Sequence, residues 1–181
     1  MSEQNKKQAL LIIDMQNGLF HSNQTPYLKE TILTNIQTTM NKARTHNIPV
    51  IFFRHVGPEG SPIAPDSALT QIIPELEIDH DKDIILEKTK PSCFYQTKLL
   101  DVLAELNVTE LVITGMKTDF CIDTTCRVAF ENGIQTTLIA DAHTTVDSNG
   151  LTAESIIQHH NHVLGAAFSQ AVTTDDFNFA K

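Results

Sequence analysis

Three side chains of the kinds used in nucleophilic catalysis stand at or just beyond the ends of short apolar runs. Asp14 and Lys88 each end such a run, and Cys121 lies six residues beyond the end of another. Short apolar runs are typical of buried strands, and the carboxyl ends of parallel strands meet at one edge of a sheet. A thiol, a carboxylate that can take its proton and a cation that stabilises negative charge form a set able to carry out acyl transfer.

Each of these residues also has a purely structural interpretation, which the spacing alone leaves open. A buried cysteine is usually inert packing, a carboxylate that ends a strand often caps the next helix, and Lys88 has a neighbouring rival in Lys90. We expect Asp119 to be the N-cap of a helix, which places Cys121 in the first turn of that helix. There the helix dipole lowers the pKa of a thiol, so Cys121 is expected to be activated.

The elements that must position these residues follow from an alternation of apolar runs and helical spacing. The predicted strands are Ala9 to Asp14, Pro49 to His55, Asp83 to Lys88, Glu110 to Gly115, Gln135 to Asp141 and Gln170 to Thr174. The predicted helices are Tyr27 to Asn47, Thr97 to Asn107, Asp119 to Asn132 and Leu151 to Leu164, the last two closed by Gly133 and Gly165. This alternation predicts a three-layer α/β/α fold, with a six-stranded, mostly parallel, Rossmann-like sheet and helices on both faces.

Length and composition are those of one globular domain over residues 1–181. The chain has 181 residues, of which 41% are hydrophobic and 19% charged. The stretch Gly57 to Pro65 is rich in Pro and Gly and follows a strand, so we interpret it as a loop that frames a site. The net charge of −9 disfavours binding to nucleic acid or to a membrane surface. No apolar run approaches the roughly 20 residues of a membrane span.

The start of the chain and its cysteines bear on the compartment. Met1 to Gln8 is polar and shows no signal peptide, so a cytoplasmic location is expected. Three cysteines in such a chain indicate reduced thiols. We interpret Cys93 and Cys126 as inert packing.

Four blocks of the sequence resemble the isochorismatase-like cysteine hydrolases. They stand in the family's order: ALLIIDMQNGLF from Ala9, EKTKPSCF from Glu87, ITGMKTDFCIDTTCRVAFENG from Ile113 and LIADAHTT from Leu138. The resemblance implies a catalytic triad of Asp14, Lys88 and Cys121, with Lys88 chosen over Lys90 because it lies four residues before Ser92. It also implies a cis peptide bond between Met116 and Lys117, and an oxyanion hole formed by the backbone N–H groups of Lys117 and Cys121.

The resemblance also separates branches of the family. True isochorismatases lack the nucleophilic cysteine, so the presence of Cys121 argues against hydrolysis of a vinyl ether. Nicotinamidases bind a metal through an Asp-x-His pair after the second strand, and the corresponding stretch Phe53 to Gly57 contains only His55. We therefore expect no metal and no cofactor. The histidines His159, His160 and His162 are interpreted as a solvated helix face.

The implied function is metal-independent hydrolysis of a C–N bond in a small amide, ureido or lactam compound through a thioester on the cysteine. The alternatives are a metal-assisted, nicotinamidase-type amidase, a catalytically silent small-molecule binder or scaffold, and a redox-active thiol protein. The resemblance further implies a homo-oligomer, as a dimer or tetramer. His55 is equally a substrate contact or a residue bonded to the Gly57 to Pro65 loop. The expected substrate-binding residues are Gln16, Phe20, His55, Tyr95, Met116 and Phe120.

Overall fold

Six strands form one sheet in which every neighbouring pair is parallel, in the order β3-β2-β1-β4-β5-β6. The computed structural model describes residues 7–180, so most of the polar start, Met1 to Gln8, lies outside the described residues. The strands are β1 (Gln8–Ile13), β2 (Val50–His55), β3 (Ile84–Lys88), β4 (Glu110–Met116), β5 (Gln135–Thr144) and β6 (Gln170–Val172). The predicted six-stranded parallel sheet is confirmed.

Helices cover both faces of this sheet. They are α1 (Asn17–Phe20), α2 (Lys29–Thr45), α3 (Leu99–Glu105), α4 (Asp123–Glu131) and α5 (Ala153–Ala167). Successive side chains of β1 alternate between the faces: Leu10 and Ile12 pack in the same core cluster as α2, whereas Leu11 and Ile13 pack with residues of α3, α4 and α5. All six residues of β1 are buried, which confirms that its apolar run belongs to a buried strand. No helix among residues 7–180 is both long and apolar enough to cross a membrane.

Of the two helix ends predicted from glycines, one is confirmed and one differs from the structure. Gly133 follows α4 with a φ of +73°, as expected of a glycine that closes a helix. Gly165, however, lies inside α5, so its predicted role as a helix end was wrong. A Cβ built on Gly165 would lie 3.1 Å from the Cβ of Ala171 in β6, which explains a small residue there. The segment after Asp14 contains the short helix α1, which the apolar and helical spacing had not indicated.

The strand order reverses direction at β1, which lies between β2 and β4. A crevice at the carboxyl ends of strands is the usual ligand site at such a point in an open α/β sheet. Here β1 and β4 approach closely, because Gly115 has a φ of +119° and a Cβ on it would lie 2.1 Å from the carbonyl oxygen of Ile13. Only glycine fits, so Gly115 fixes the spacing between the segments that carry Asp14 and Cys121.

Candidate active site

Asp14 directly follows β1, where the chain turns away from the sheet. Its φ is +52°, a left-handed conformation that Asp tolerates better than most residues. Its backbone N–H still donates to the carbonyl of Phe53 at the end of β2, at 3.0 Å. The side chain is buried, with 1% of the residue exposed. One carboxylate oxygen, Oδ2, accepts from Lys88, and the other, Oδ1, has no hydrogen-bond partner in the described part of the chain.

Lys88 is the last residue of β3 and the centre of the site. Its buried ammonium donates to Asp14 Oδ2 at 2.7 Å and to the sulfur of Cys121 at 3.1 Å. It also lies 3.2 Å from His55 Nδ1 and donates to the carbonyl of Lys90 at 3.3 Å. The structure therefore brings the three side chains expected to be catalytic into direct contact. Lys90 contributes a backbone oxygen to this cluster.

Cys121 lies in a π-helical turn, Thr118–Ile122, that connects β4 to α4. The N–H groups of Phe120 and Ile122 both donate to the carbonyl of Lys117, each at 3.2 Å. Single π-helical turns of this kind are frequent at functional sites. Asp119 is not the N-cap that the sequence suggested, because its carboxylate accepts a hydrogen bond from the Thr145 hydroxyl at 2.6 Å instead. The Met116–Lys117 peptide bond that precedes the turn is cis.

The expected lowering of the Cys121 pKa was wrong. The pKa of the Cys121 thiol is raised to about 12, because burial and the Asp14 carboxylate both raise it and the Lys88 ammonium offsets them only in part. Burial likewise raises the pKa of Asp14 although Lys88 opposes it. Burial also acts to lower the pKa of Lys88, but Asp14 and Cys121 outweigh it and the net shift is upward. The resting cluster is therefore a thiol beside a strengthened base and a firmly held ammonium.

His143 of β5 hydrogen-bonds to the π-helical turn that carries Cys121. His143 is fully buried, its Nδ1 lies 2.8 Å from the Thr118 hydroxyl, and its Nε2 lies 2.8 Å from Asn161 Oδ1. Since the Asn161 amide N–H donates to the carbonyl of Ala140, its oxygen must accept from His143, so Nε2 carries the proton and Nδ1 accepts from Thr118. Burial lowers the pKa of His143 to about 4, which keeps it an acceptor near neutral pH.

A cavity of about 270 Å³ opens beside the Cys121 sulfur. Among the residues expected to bind substrate, Gln16, His55 and Phe120 border it, as do both residues expected to supply the oxyanion hole. Sequence reasoning did not identify Gly18, Leu69 or Thr70, whereas Leu19 and Ile63 lie in segments expected to determine the substrate, Leu19 to Pro26 and Gly57 to Ser67. The cavity is lined by Asp14, Gln16, Gly18, Leu19, His55, Ile63, Leu69, Thr70, Lys117, Phe120 and Cys121.

Three residues expected to bind substrate lie elsewhere. Phe20 is buried in the core cluster that includes α2, because it points away from the cavity that its neighbour Leu19 borders. Met116 is likewise buried in that cluster, since successive residues of β4 alternate between the faces of the sheet. Tyr95 is half-exposed on the surface and does not border the cavity. All three were inferred from nearness to a motif, which does not fix the direction of a side chain.

Among residues 7–180, one group of side chains could supply three metal ligands: Asp14, His55 and Cys121, whose donor atoms all lie within 4.8 Å of one another. The sequence context had suggested that His55 stands alone as a ligand, whereas the structure places two further donors beside it. However, the Lys88 ammonium lies within hydrogen-bond distance of all three side chains, so a positive charge already occupies the space between them. This arrangement does not fit a resident metal ion. The His159, His160 and His162 group forms no such set.

Comparison with known proteins gives consistent matches. The family model described as the Isochorismatase domain matches residues 8–175. Nicotinamidase 3 of Arabidopsis thaliana is 33% identical over 150 residues, which cover 76% of this chain and 73% of that protein. A ureidoacrylate amidohydrolase of Serratia proteamaculans is 29% identical and covers 67% of this chain and 63% of its own. The crystal structure of an isochorismatase from Pseudomonas putida KT2440 has a TM-score of 0.87 at 28% identity, covering 98% of this chain and 94% of that one.

Proposed function

Because the chain belongs to the isochorismatase family of hydrolases, we propose that it is a cysteine hydrolase that cleaves a C–N bond in a small amide-type compound. Two of its relatives, a nicotinamidase and a ureidoacrylate amidohydrolase, carry names of this reaction class. The observation that carries the proposal is that one ammonium, that of Lys88, contacts both Asp14 and Cys121. Lys88 lies 2.7 Å from Asp14 and 3.1 Å from Cys121, so it joins the base and the nucleophile that border the cavity.

In the proposed reaction, the Cys121 sulfur attacks the substrate carbonyl while its proton passes to Asp14. Because the pKa of the thiol is raised to about 12, this proton leaves in step with the attack and not before it. The oxyanion that forms accepts from the backbone N–H groups of Lys117 and Cys121, and Lys88 stabilises the developing negative charge. A low pKa of the thiol is thus not required, provided that the base and the cation are both in place.

The second half of the reaction reuses the same groups. The C–N bond breaks as Asp14 gives its proton to the departing amine, which leaves an acyl thioester on Cys121. Water then attacks the thioester carbonyl and gives a proton to Asp14. The C–S bond breaks, the acid is released, and the proton returns to the Cys121 sulfur.

The alternatives have less support. A metal-assisted amidase of the nicotinamidase type needs a ligand set, and the only such group among residues 7–180 surrounds the Lys88 ammonium. A catalytically silent homologue has no need to keep a buried ion pair beside a cysteine. A redox-active thiol protein would need a second thiol at the site, whereas Cys121 is the only cysteine of residues 7–180 that borders the cavity.

The test is a screen of small primary amides, ureido acids and lactams for release of ammonia or amine. We expect wild-type enzyme to hydrolyse at least one of these compounds with and without a metal chelator, and Cys121→Ala to show no detectable turnover. Cys126→Ala, which changes a buried cysteine outside the cavity, serves as the matched control and retains activity. Loss of all activity on chelation would instead support the metal-assisted alternative.

A further inference from the structure

Most polar groups on the cavity wall are already used by the protein. The Gln16 amide N–H groups donate to the carbonyls of His55 and Thr70, at 3.0 and 2.8 Å, and its oxygen accepts from the His55 N–H at 2.8 Å. The Thr70 hydroxyl is directed at carbonyl oxygens of the loop before it, the nearest at 2.8 Å. Both residues therefore brace the wall. Gln16, expected to bind substrate, has no donor left to offer to one.

The rest of the wall away from Cys121 is mostly apolar. Leu19, Ile63, Leu69 and Phe120 border the cavity, and the last three are 43%, 46% and 51% exposed. Large apolar side chains exposed together beside a candidate nucleophile are typical of a ligand site. We call these four residues the apolar clamp. Burying them under a bound molecule is favourable because it removes apolar surface from water.

The clamp is held in place by the backbone. The Gly57 N–H donates to the carbonyl of Ile63 at 2.7 Å, which closes the loop that the sequence marked as framing a site. A Cβ on Gly57 would lie 2.7 Å from the Ile63 side chain, and one on Gly18 would lie 3.0 Å from Leu69. Both glycines thus allow close packing behind the clamp, so its surface is preformed.

We propose that the substrate is a small carboxamide whose non-reacting part is uncharged and apolar, and that the apolar clamp selects it. This inference rests on the proposed function for the reaction itself. Transfer of a charged substituent onto Leu69 and Phe120 would cost solvation, with no side chain of the clamp to compensate. The one charged side chain of the lining outside the reacting cluster is Lys117, whose ammonium forms no hydrogen bond or ion pair within residues 7–180.

Lys117 defines the competing outcome. If its ammonium selected the substrate, a carboxylate-bearing amide would be preferred. The probes are therefore three amides of similar length: pentanamide, succinamate with a carboxylate, and 3-aminopropanamide with an ammonium. We expect kcat/KM for pentanamide to exceed that of either charged amide by about tenfold or more. A preference for succinamate would overturn the inference in favour of Lys117.

Binding separates this inference from the proposed reaction. Calorimetric titration of Cys121→Ala with the same three amides needs no turnover, and it should show the same order of affinity. Tighter binding of pentanamide, with no hydrolysis of any compound of the screen by the wild type, would refute the proposed function and leave the substrate class standing. Hydrolysis with a preference for a charged amide would support the proposed function and refute the apolar substrate class.

A matched pair of variants tests the clamp itself. Leu69→Ala is expected to raise KM for pentanamide and to lower its kcat/KM by about tenfold more than that of succinamate. Leu100→Ala is the control, because Leu100 has the same exposed fraction of 46% but lies on α3, away from the cavity. Equal loss for pentanamide and succinamate in Leu69→Ala would show that the clamp does not discriminate, and would overturn the inference.

Discussion

The Lys88 ammonium lies 3.1 Å from the sulfur of Cys121, yet the pKa of that thiol is raised to about 12. The same ammonium also forms a buried ion pair with Asp14, so its charge is shared. Burial and the adjacent carboxylate together outweigh the attraction of one shared cation. The cysteine therefore waits as a thiol, and the base has to act during the reaction.

Because Cys121 rests as a thiol, Asp14→Asn should change its alkylation rate in the direction opposite to that expected for a preformed thiolate. Asp14→Asn removes a negative charge that raises the pKa of the thiol, so Cys121 should be alkylated faster by iodoacetamide at pH 8. The thiolate fraction at pH 8 should rise about tenfold for each unit by which the pKa falls. The alkylation rate should rise by less, because a less basic thiolate is a weaker nucleophile. Mass mapping follows Cys121 against the internal control Cys126, whose rate should not change. Slower alkylation of Cys121 in Asp14→Asn would show that Asp14 generates a thiolate at rest.

Lys88→Met should leave the Asp14 carboxylate buried without a counter-charge. Breaking a buried pair in this way costs about 3–5 kcal/mol of the free energy of unfolding at neutral pH. The loss should shrink as the pH falls, because the pKa of Asp14 rises further without Lys88 and protonation then neutralises the carboxyl group. Urea unfolding measures both effects.

The double variant Lys88→Met/Asp14→Asn is the matched control for this buried pair. It removes both charges, so it should recover much of the stability that Lys88→Met loses. Equal stability of wild type and Lys88→Met at neutral pH would contradict the arrangement described for the pair.

His143 should make the fold sensitive to acid. Its pKa is about 4 in the folded protein because it is buried, and 6.5 is the ordinary value expected in the unfolded chain. Protons therefore favour the unfolded chain, and the free energy of unfolding should fall by about 3 kcal/mol as the pH drops from 6.5 to 4. His143→Asn keeps an acceptor for Thr118 but does not titrate, so its decrease over this range should be smaller by that amount. Parallel pH profiles of the two proteins would exclude His143 as the source.

The apolar runs were sufficient to predict the sheet. Their spacing only suggested Asp14, Lys88 and Cys121, and the family resemblance selected them. Asp14 follows a run whose burial on both faces shows in its composition. Lys88 ends the edge strand β3, in which Ile85 and Glu87 are exposed. Parallel strands bring both ends to one edge of the sheet without any knowledge of the loops. The closeness of β1 and β4 depends on Gly115, which a motif can identify but whose φ of +119° it cannot give.

The residues that line the cavity were harder to predict, because lining depends on the direction of each side chain and on hydrogen-bond partners that are distant in the sequence. Leu19 and Phe20 are consecutive residues of α1 and point in different directions, so Leu19 borders the cavity while Phe20 lies in the core. Gln16 sits at the cavity, but its amide is used by the strand end and by a loop more than 50 residues away. The raised pKa of Cys121 reflects burial, and burial of a turn is set by the whole fold.

The covalent role of Cys121 can be tested most directly by rapid-quench mass spectrometry on wild-type enzyme during turnover of a hydrolysed amide. We predict a transient acyl adduct that maps to the peptide containing Cys121, with loss of the amine, and that disappears when the substrate is exhausted. Cys121→Ala should form no adduct and show no turnover while remaining folded. Turnover in Cys121→Ala within tenfold of the wild type, or an adduct on Cys93 or Cys126 instead, would contradict the account.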